Sequence, residues 1–305
     1  MRPRRPIVAA VLVLFLAAVA ALTTAGARAD EEPPKLLGRI TPADLREEPY
    51  SGWFEEGYDA YVPNPDVTAA LRAAGAAGVE VTVFFGTWCP DSRREVPRLL
   101  KLLQTLQFPK ERLTLVAVDN AEGRRKTSPG GEEKGMRVYR VPTIIVLRDG
   151  AEIGRIVEHP VRSLERDLLA ILTGRPYTGS FPSYPVIDGW LAEGLLADPN
   201  LSPWGLAGEL RPLVGSEWDL LAVAATLLER GDGVEAVLLF RVNTALYRDS
   251  AMAFARLAGA LRDTGEPGEA RDMARRALRL NTDPDRVPDL ADLLESIDAG
   301  EETGE

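Results

Sequence analysis

The stretch Val79–Leu100, V-E-V-T-V-F-F-G-T-W-C-P-D-S-R-R-E-V-P-R-L-L, decides how the rest of the chain reads. Val79, Val81, Val83, Phe84 and Phe85 are β-branched or aromatic in a short run with little charge, which suits a buried strand better than a helix. Gly86 ends the run. From Asp91 onward, Val96, Leu99, Leu100, Leu102, Leu103 and Leu106 fall at helical spacing, so Cys89 is expected at or just before a helix N-terminus. The free N–H groups and the positive end of the helix dipole favour a thiolate there over a thiol. Arg93 and Arg94 would add to that field, and Asp91 would oppose it. Cys89 is the only cysteine among 305 residues. The plainer reading is a buried, inert sulfur that packs as a small apolar group.

Working outward, Asp66–Gly75 reads as a short helix with Asp66 as its cap. Leu113–Val118 is a second apolar strand. After Val141-Pro142-Thr143 come a strand at Ile144–Leu147, the turn Arg148-Asp149-Gly150, a strand at Glu152–Val157 and a closing helix at Ser163–Leu172. The order helix, strand, helix, strand suits an α/β sheet with a parallel crossover. Between Asn120 and Arg140 the chain is polar and rich in Gly, Lys and Arg, and it reads as a solvated loop. A basic loop that meets an acidic partner is the functional alternative.

Three separated motifs in this order carry a resemblance. Trp88-Cys89-Pro90-Asp91-Ser92 resembles the W-C-x-x-C active-site turn of the thioredoxin family, with serine in place of the second cysteine. Pro97, eight residues after Cys89, stands where thioredoxins kink this helix. Val141-Pro142-Thr143 with its following hairpin resembles the family's cis-proline loop. The likeness spans residues 65–174 and implies a thioredoxin-like sheet with flanking helices. It implies Cys89 as nucleophile with Ser92 beside it as the catalytic pair. Trp88, Pro90, Asp91, Val141, Pro142, Glu158 and His159 would line the substrate groove. His159 is the only histidine; a neutral imidazole near a thiol would take its proton, although most lone surface histidines move none. Val83 occupies the position, six residues before Cys89, where many thioredoxins hold a buried aspartate that helps deprotonate the second cysteine. With Ser92 in place as well, neither half of the family's resolving step is present.

A Cys89 thiolate can attack a disulfide and form a mixed disulfide with a client. Ser92 cannot expel that client; at most its hydroxyl hydrogen-bonds the thiolate. Release therefore requires an external resolving thiol, from the client itself or from a small molecule. The partners expected are protein thiols or disulfides. A competing expectation is a non-catalytic adaptor or assembly factor on a degenerate thioredoxin fold. A glutathione-dependent exchange like that of monothiol glutaredoxins, which often carry C-P-x-S, fits less well with Trp88 and Arg140. No cofactor is expected: one His and one Cys make no ordinary metal set, and the glycines near 130 lack the spacing of a phosphate loop.

The chain begins as an export signal does. Arg2, Arg4 and Arg5 precede an apolar run, Ile7–Leu22, and Ala27-Arg28-Ala29 is a small-x-small cleavage site. The protein is expected to be exported, periplasmic or secreted, with an uncleaved N-terminal membrane anchor as the alternative. Removing residues 1–29 leaves 32 basic against 46 acidic residues, net −14, which argues against nucleic acid as a partner. An unpaired thiol in an exported chain suggests an intermolecular partner or a reactive group.

Residues 30–64 form an extension in which Tyr50, Trp53, Phe54, Tyr58 and Tyr61 are expected to pack on the adjacent domain. Residues 175–217, rich in Pro, Gly, Tyr and Trp, read as a linker with short helices. Beyond it Leu220, Val223, Leu227, Gly231, Ala236 and Phe240 recur 34 residues later as Phe254, Leu257, Leu261, Gly265, Ala270 and Ala274. That period resembles the tetratricopeptide repeat. Residues 218–298 would be two such helical hairpins with a solvent-facing cap helix at Val287–Ile297, offering a groove to a protein or peptide partner. Trp218 to the end carries 10 basic and 18 acidic residues, so a basic or neutral partner is expected there. Residues 299–305 read as a disordered tail.

Overall fold

Five strands and eleven α-helices make up the described residues, 34–198 and 200–302, of a computed structural model. The export signal expected at 1–29 and the last three residues lie outside them. The strands are β1 (Gly38–Ile40), β2 (Val79–Phe85), β3 (Leu113–Ala117), β4 (Thr143–Arg148) and β5 (Ala151–Val157). They form one mixed sheet in the order β1-β3-β2-β4-β5. β2 and β3 run parallel, and every other pair is antiparallel. The helices around the sheet are α1 (Ser51–Ala60), α2 (Pro65–Ala74), α3 (Pro90–Thr105) and α4 (Leu164–Thr173).

Alternation along β2 sorts the sheet into two faces. Val79, Val81, Val83 and Phe85 join the larger core with Leu99 and Leu102 of α3 and Leu168 of α4. Phe84 points the other way, into a smaller cluster with Cys89, Val116, Val118, Val138, Val141 and Ile145. Val83, at the position that resembles the family's buried aspartate, is fully buried among apolar neighbours. The aromatic extension closes the larger face: Phe54 is buried with Tyr58 stacked on it, their centroids 5.6 Å apart. A Cβ at Gly57 would lie 3.3 Å from Pro97, so α1 crosses α3 where its glycine meets the helix-interior proline.

Several boundaries differ from the sequence reading. The α2 cap is Asn64, whose Oδ1 accepts from the N–H groups of Asp66 and Val67 at 3.1 Å each. Pro65 fills the first helical position, for which its fixed φ and missing donor suit it, and this moves the cap two residues ahead of Asp66. The polar segment after β3 contains no strand or helix but is not simply solvated. It folds over the smaller face and buries Val138, Tyr139, Ser128 and Glu133.

The remaining helices are α5 (Ser183–Ala192), α6 (Pro203–Leu210), α7 (Glu217–Arg230), α8 (Gly233–Leu246), α9 (Ala251–Asp263), α10 (Pro267–Leu280) and α11 (Val287–Glu302). The α7–α8 and α9–α10 hairpins begin 34 residues apart, as do their second helices. Gly231 ends α7 at φ +92°, a conformation that suits glycine. Ala270, Ala274 and Ala277 are buried where small side chains let α10 approach α9 closely. One core holds Leu220, Ala236 and Leu257 together with Tyr184, Ile187 and Trp190 of α5 and with Tyr139 and Val157 of the sheet region. The expected linker is thus continuous with the sheet and the helical hairpins rather than a separate tether. The helix expected to end at Ile297 runs on through Gly300 to Glu302, with Leu290 and Ile297 buried. This places the start of the expected tail in helix. No helix among the described residues is long and apolar enough to cross a membrane.

Candidate functional site

Cys89 is the N-cap residue of α3, with Pro90 in the first helical position. Its side chain caps nothing. The thiol instead donates to the Val141 carbonyl at 3.2 Å, across the gap between the two loops. The Val141–Pro142 bond is cis. Cys89 is 7 % exposed, so a thin edge of the residue reaches solvent.

Trp88 folds back over the turn. Its indole N–H donates to the Val118 carbonyl at 2.8 Å, tying the turn to the end of β3. A Cβ at Gly86 would lie only 2.4 Å from the Trp88 ring, so this packing needs glycine there. Ser92 is fully buried, and its Oγ accepts from the Gly86 N–H at 3.2 Å. The hydroxyl therefore supports the end of β2, and no hydrogen bond joins it to Cys89.

The charges near the helix start are largely committed. Arg94 pairs with Asp91 at 2.7 Å and with Glu95 at 2.7 Å. Arg93 donates to the Thr87 carbonyl at 2.6 Å, with its guanidinium over the Trp53 ring. The Arg94 charge is thus compensated by carboxylates, whereas Arg93 is held only by neutral partners. Lys126, from the segment after β3, lies within the field of Cys89. Burial pushes its ammonium below the ordinary value, and Arg125 and Arg140 add to this against Glu229 and Cys89.

Beyond the cis-proline, the Glu158 N–H donates to the Pro142 carbonyl at 2.7 Å. Glu158 holds Arg140 at 2.7 Å, and Arg140 is the junction of the region. Its Nε donates to the Tyr184 hydroxyl at 2.8 Å and its Nη2 to the Trp218 carbonyl at 2.7 Å. The guanidinium also lies 4.6 Å from the centroid of Phe181. His159 is exposed, and its ring meets Phe181 edge-on at 6.4 Å. Its imidazole makes no hydrogen bond to Cys89.

The structure therefore gathers Trp88, Cys89, Val141 and Pro142 into one cluster. Glu158 stands at its margin, Pro90 and Asp91 on the open side of α3, and His159 against the helical region. Gly86, Arg140 and Lys126 belong to the same constellation without having been singled out for it. Arg140 had a legible signal, as a large cation immediately before the Val-Pro pair. Among the described residues no group of three His, Cys, Asp or Glu side chains could hold a metal ion. Compared with family models, curated proteins and solved structures, the chain matches none.

Proposed function

We propose that this chain is an exported, thioredoxin-like thiol–disulfide exchange protein that works through Cys89 alone. The observation that carries the reading is the sulfur's position. Cys89 is the N-cap residue of a helix and 7 % exposed, and its sulfur lies 3.2 Å from the carbonyl that precedes a cis-proline. The mixed sheet and the 34-residue spacing of the helical hairpins agree with a thioredoxin-like portion joined to tetratricopeptide-like repeats. The step is an exchange with no net change of oxidation state. The Cys89 thiolate attacks one client sulfur, an S–S bond forms as the client's own breaks, and the second client sulfur leaves as thiolate. An external thiol then attacks the mixed disulfide and restores Cys89. Ser92 has no chemistry in this step; it shapes the turn.

Mass spectrometry after incubation with a disulfide peptide tests the reading. A Cys89 adduct that disappears on adding a small thiol is expected, and no adduct under conditions that label two-cysteine thioredoxins would overturn it. A second reading, a non-catalytic adaptor, draws support from the 7 % exposure of Cys89 and its bonded thiol. It requires that Cys89→Ala retain full partner binding and biological activity.

A further inference from the structure

Trp218, in the first turn of α7, stands 49 % exposed. Its carbonyl is held by Arg140, two residues before Pro142, so the start of α7 lies beside the candidate exchange site. Among the described residues no aromatic or cationic side chain stacks on its indole. It lines an open cavity of about 630 Å³ between residues 215–218 and 246–250.

Carboxylates outnumber cations in this cavity. Glu217 and Asp249 line it, and Asp219 lies just behind, accepting from the Gly215 N–H at 2.8 Å and the Ser216 hydroxyl at 3.0 Å. One carboxylate oxygen of Glu217 takes the Ser250 hydroxyl. Arg248 is the single cation in the lining, and its guanidinium is engaged 4.3 Å from the centroid of Trp204, a residue that does not line the cavity. Tyr247 registers the resulting field: burial pushes its phenol up, and Asp219 and Glu217 push it further against Arg211.

An electron-rich indole face beside carboxylates attracts a cation and offers nothing to an anion. A purely apolar occupant would leave Glu217 and Asp249 facing hydrocarbon. We infer that this cavity is a subsite for a lysine or arginine side chain of the client polypeptide, stacked on Trp218 and faced by Glu217 and Asp249. The identity of the occupant as client rests on the exchange function proposed above; the chemistry of the subsite does not.

The test uses the full chain, labelled with ¹⁵N, and its tryptophan indole N–H signals, with Trp218 assigned by its loss in Trp218→Phe. The probes are capped Gly-Gly-X-Gly-Gly peptides with X lysine, norleucine or glutamate. The lysine peptide is expected to move the Trp218 signal saturably, and norleucine and glutamate are expected to leave it in place. Asp249→Asn, at an exposed position, is expected to weaken the lysine peptide severalfold. An unmoved Trp218 signal, an equal response to norleucine, or an unchanged affinity in Asp249→Asn overturns the subsite. Adduct formation by Cys89 with dithiodipyridine is read in the same samples. A responsive Trp218 with an inert Cys89 removes the exchange function and keeps the subsite, and the opposite pattern does the reverse.

Discussion

Gly86 and Ser92 show how little of the turn's chemistry is carried by the sulfur alone. The indole of Trp88 occupies the space a side chain at 86 would need, and the Ser92 hydroxyl takes the Gly86 N–H. Gly86→Ala must therefore displace Trp88 from the Val118 carbonyl, at a cost of about 2 kcal/mol for overpacking a closed site. Urea unfolding measures that loss, and a wild-type midpoint in the variant would contradict the packing account. Ser92→Cys places a second sulfur where the proposed exchange function lacks one. The mixed disulfide of this variant should decay without added thiol, whereas the wild-type adduct persists; equal lifetimes by mass spectrometry would argue against it. Cys89 and Ser92 were readable as a pair because their spacing resembles a known motif. The Gly86 contact was not, because it depends on a ring folding back from two residues away.

At the level of elements, strands with a clear alternation or a continuous apolar run were legible, and short or tertiary ones were not. β2, β4, β5 and α3 lie within a residue or two of their expected limits; β2, β4 and α3 each bury a run or stripe of their own residues. β1 has only Gly38, Arg39 and Ile40, too few for a period, and it exists because the β3 edge offers it partners. The segment after β3 looked polar because its order comes from carboxylates that accept backbone N–H groups. Asp119 is the main one. Burial pushes its carboxyl up, but the N–H groups of Ala121 and Asn120 and the Lys35 ammonium outweigh this and hold it below the ordinary value. A carboxylate with a lowered folded pKa adds stability above its unfolded value, about 3.9, and loses that addition as pH falls through the folded one. The stability difference between wild type and Asp119→Asn should therefore be large at pH 7 and shrink toward pH 3. A gap in urea midpoint that stays constant across this range would contradict the assignment.

Across the whole molecule, the sheet and helical regions meet through a shared apolar core and a few polar joints. The Tyr139 hydroxyl donates to Asp188 at 2.7 Å, the Arg125 N–H donates to Glu229 at 2.8 Å, and Arg140 reaches α5 and α7 at once. None of these pairs is local in sequence, which is why the residues from 175 to 217 read as a linker. Arg140→Ala would leave the largely buried Glu158 without its partner, a loss on the order of 3 kcal/mol. Hydrogen exchange at the start of α7 should rise with it. Unchanged protection there would mean that Arg140 does not couple the two regions.

The three residues of β1 carry a consequence larger than their number. They pair Gly38 with Ala117, Arg39 with Val116 and Ile40 with Leu115, filling the outer side of β3. A chain shortened to begin at Thr41 would present a row of unmet amides and carbonyls along an apolar strand, and such rows recruit strands from other molecules. Light scattering should show the shortened protein self-associating into particles at concentrations where the longer one stays dispersed.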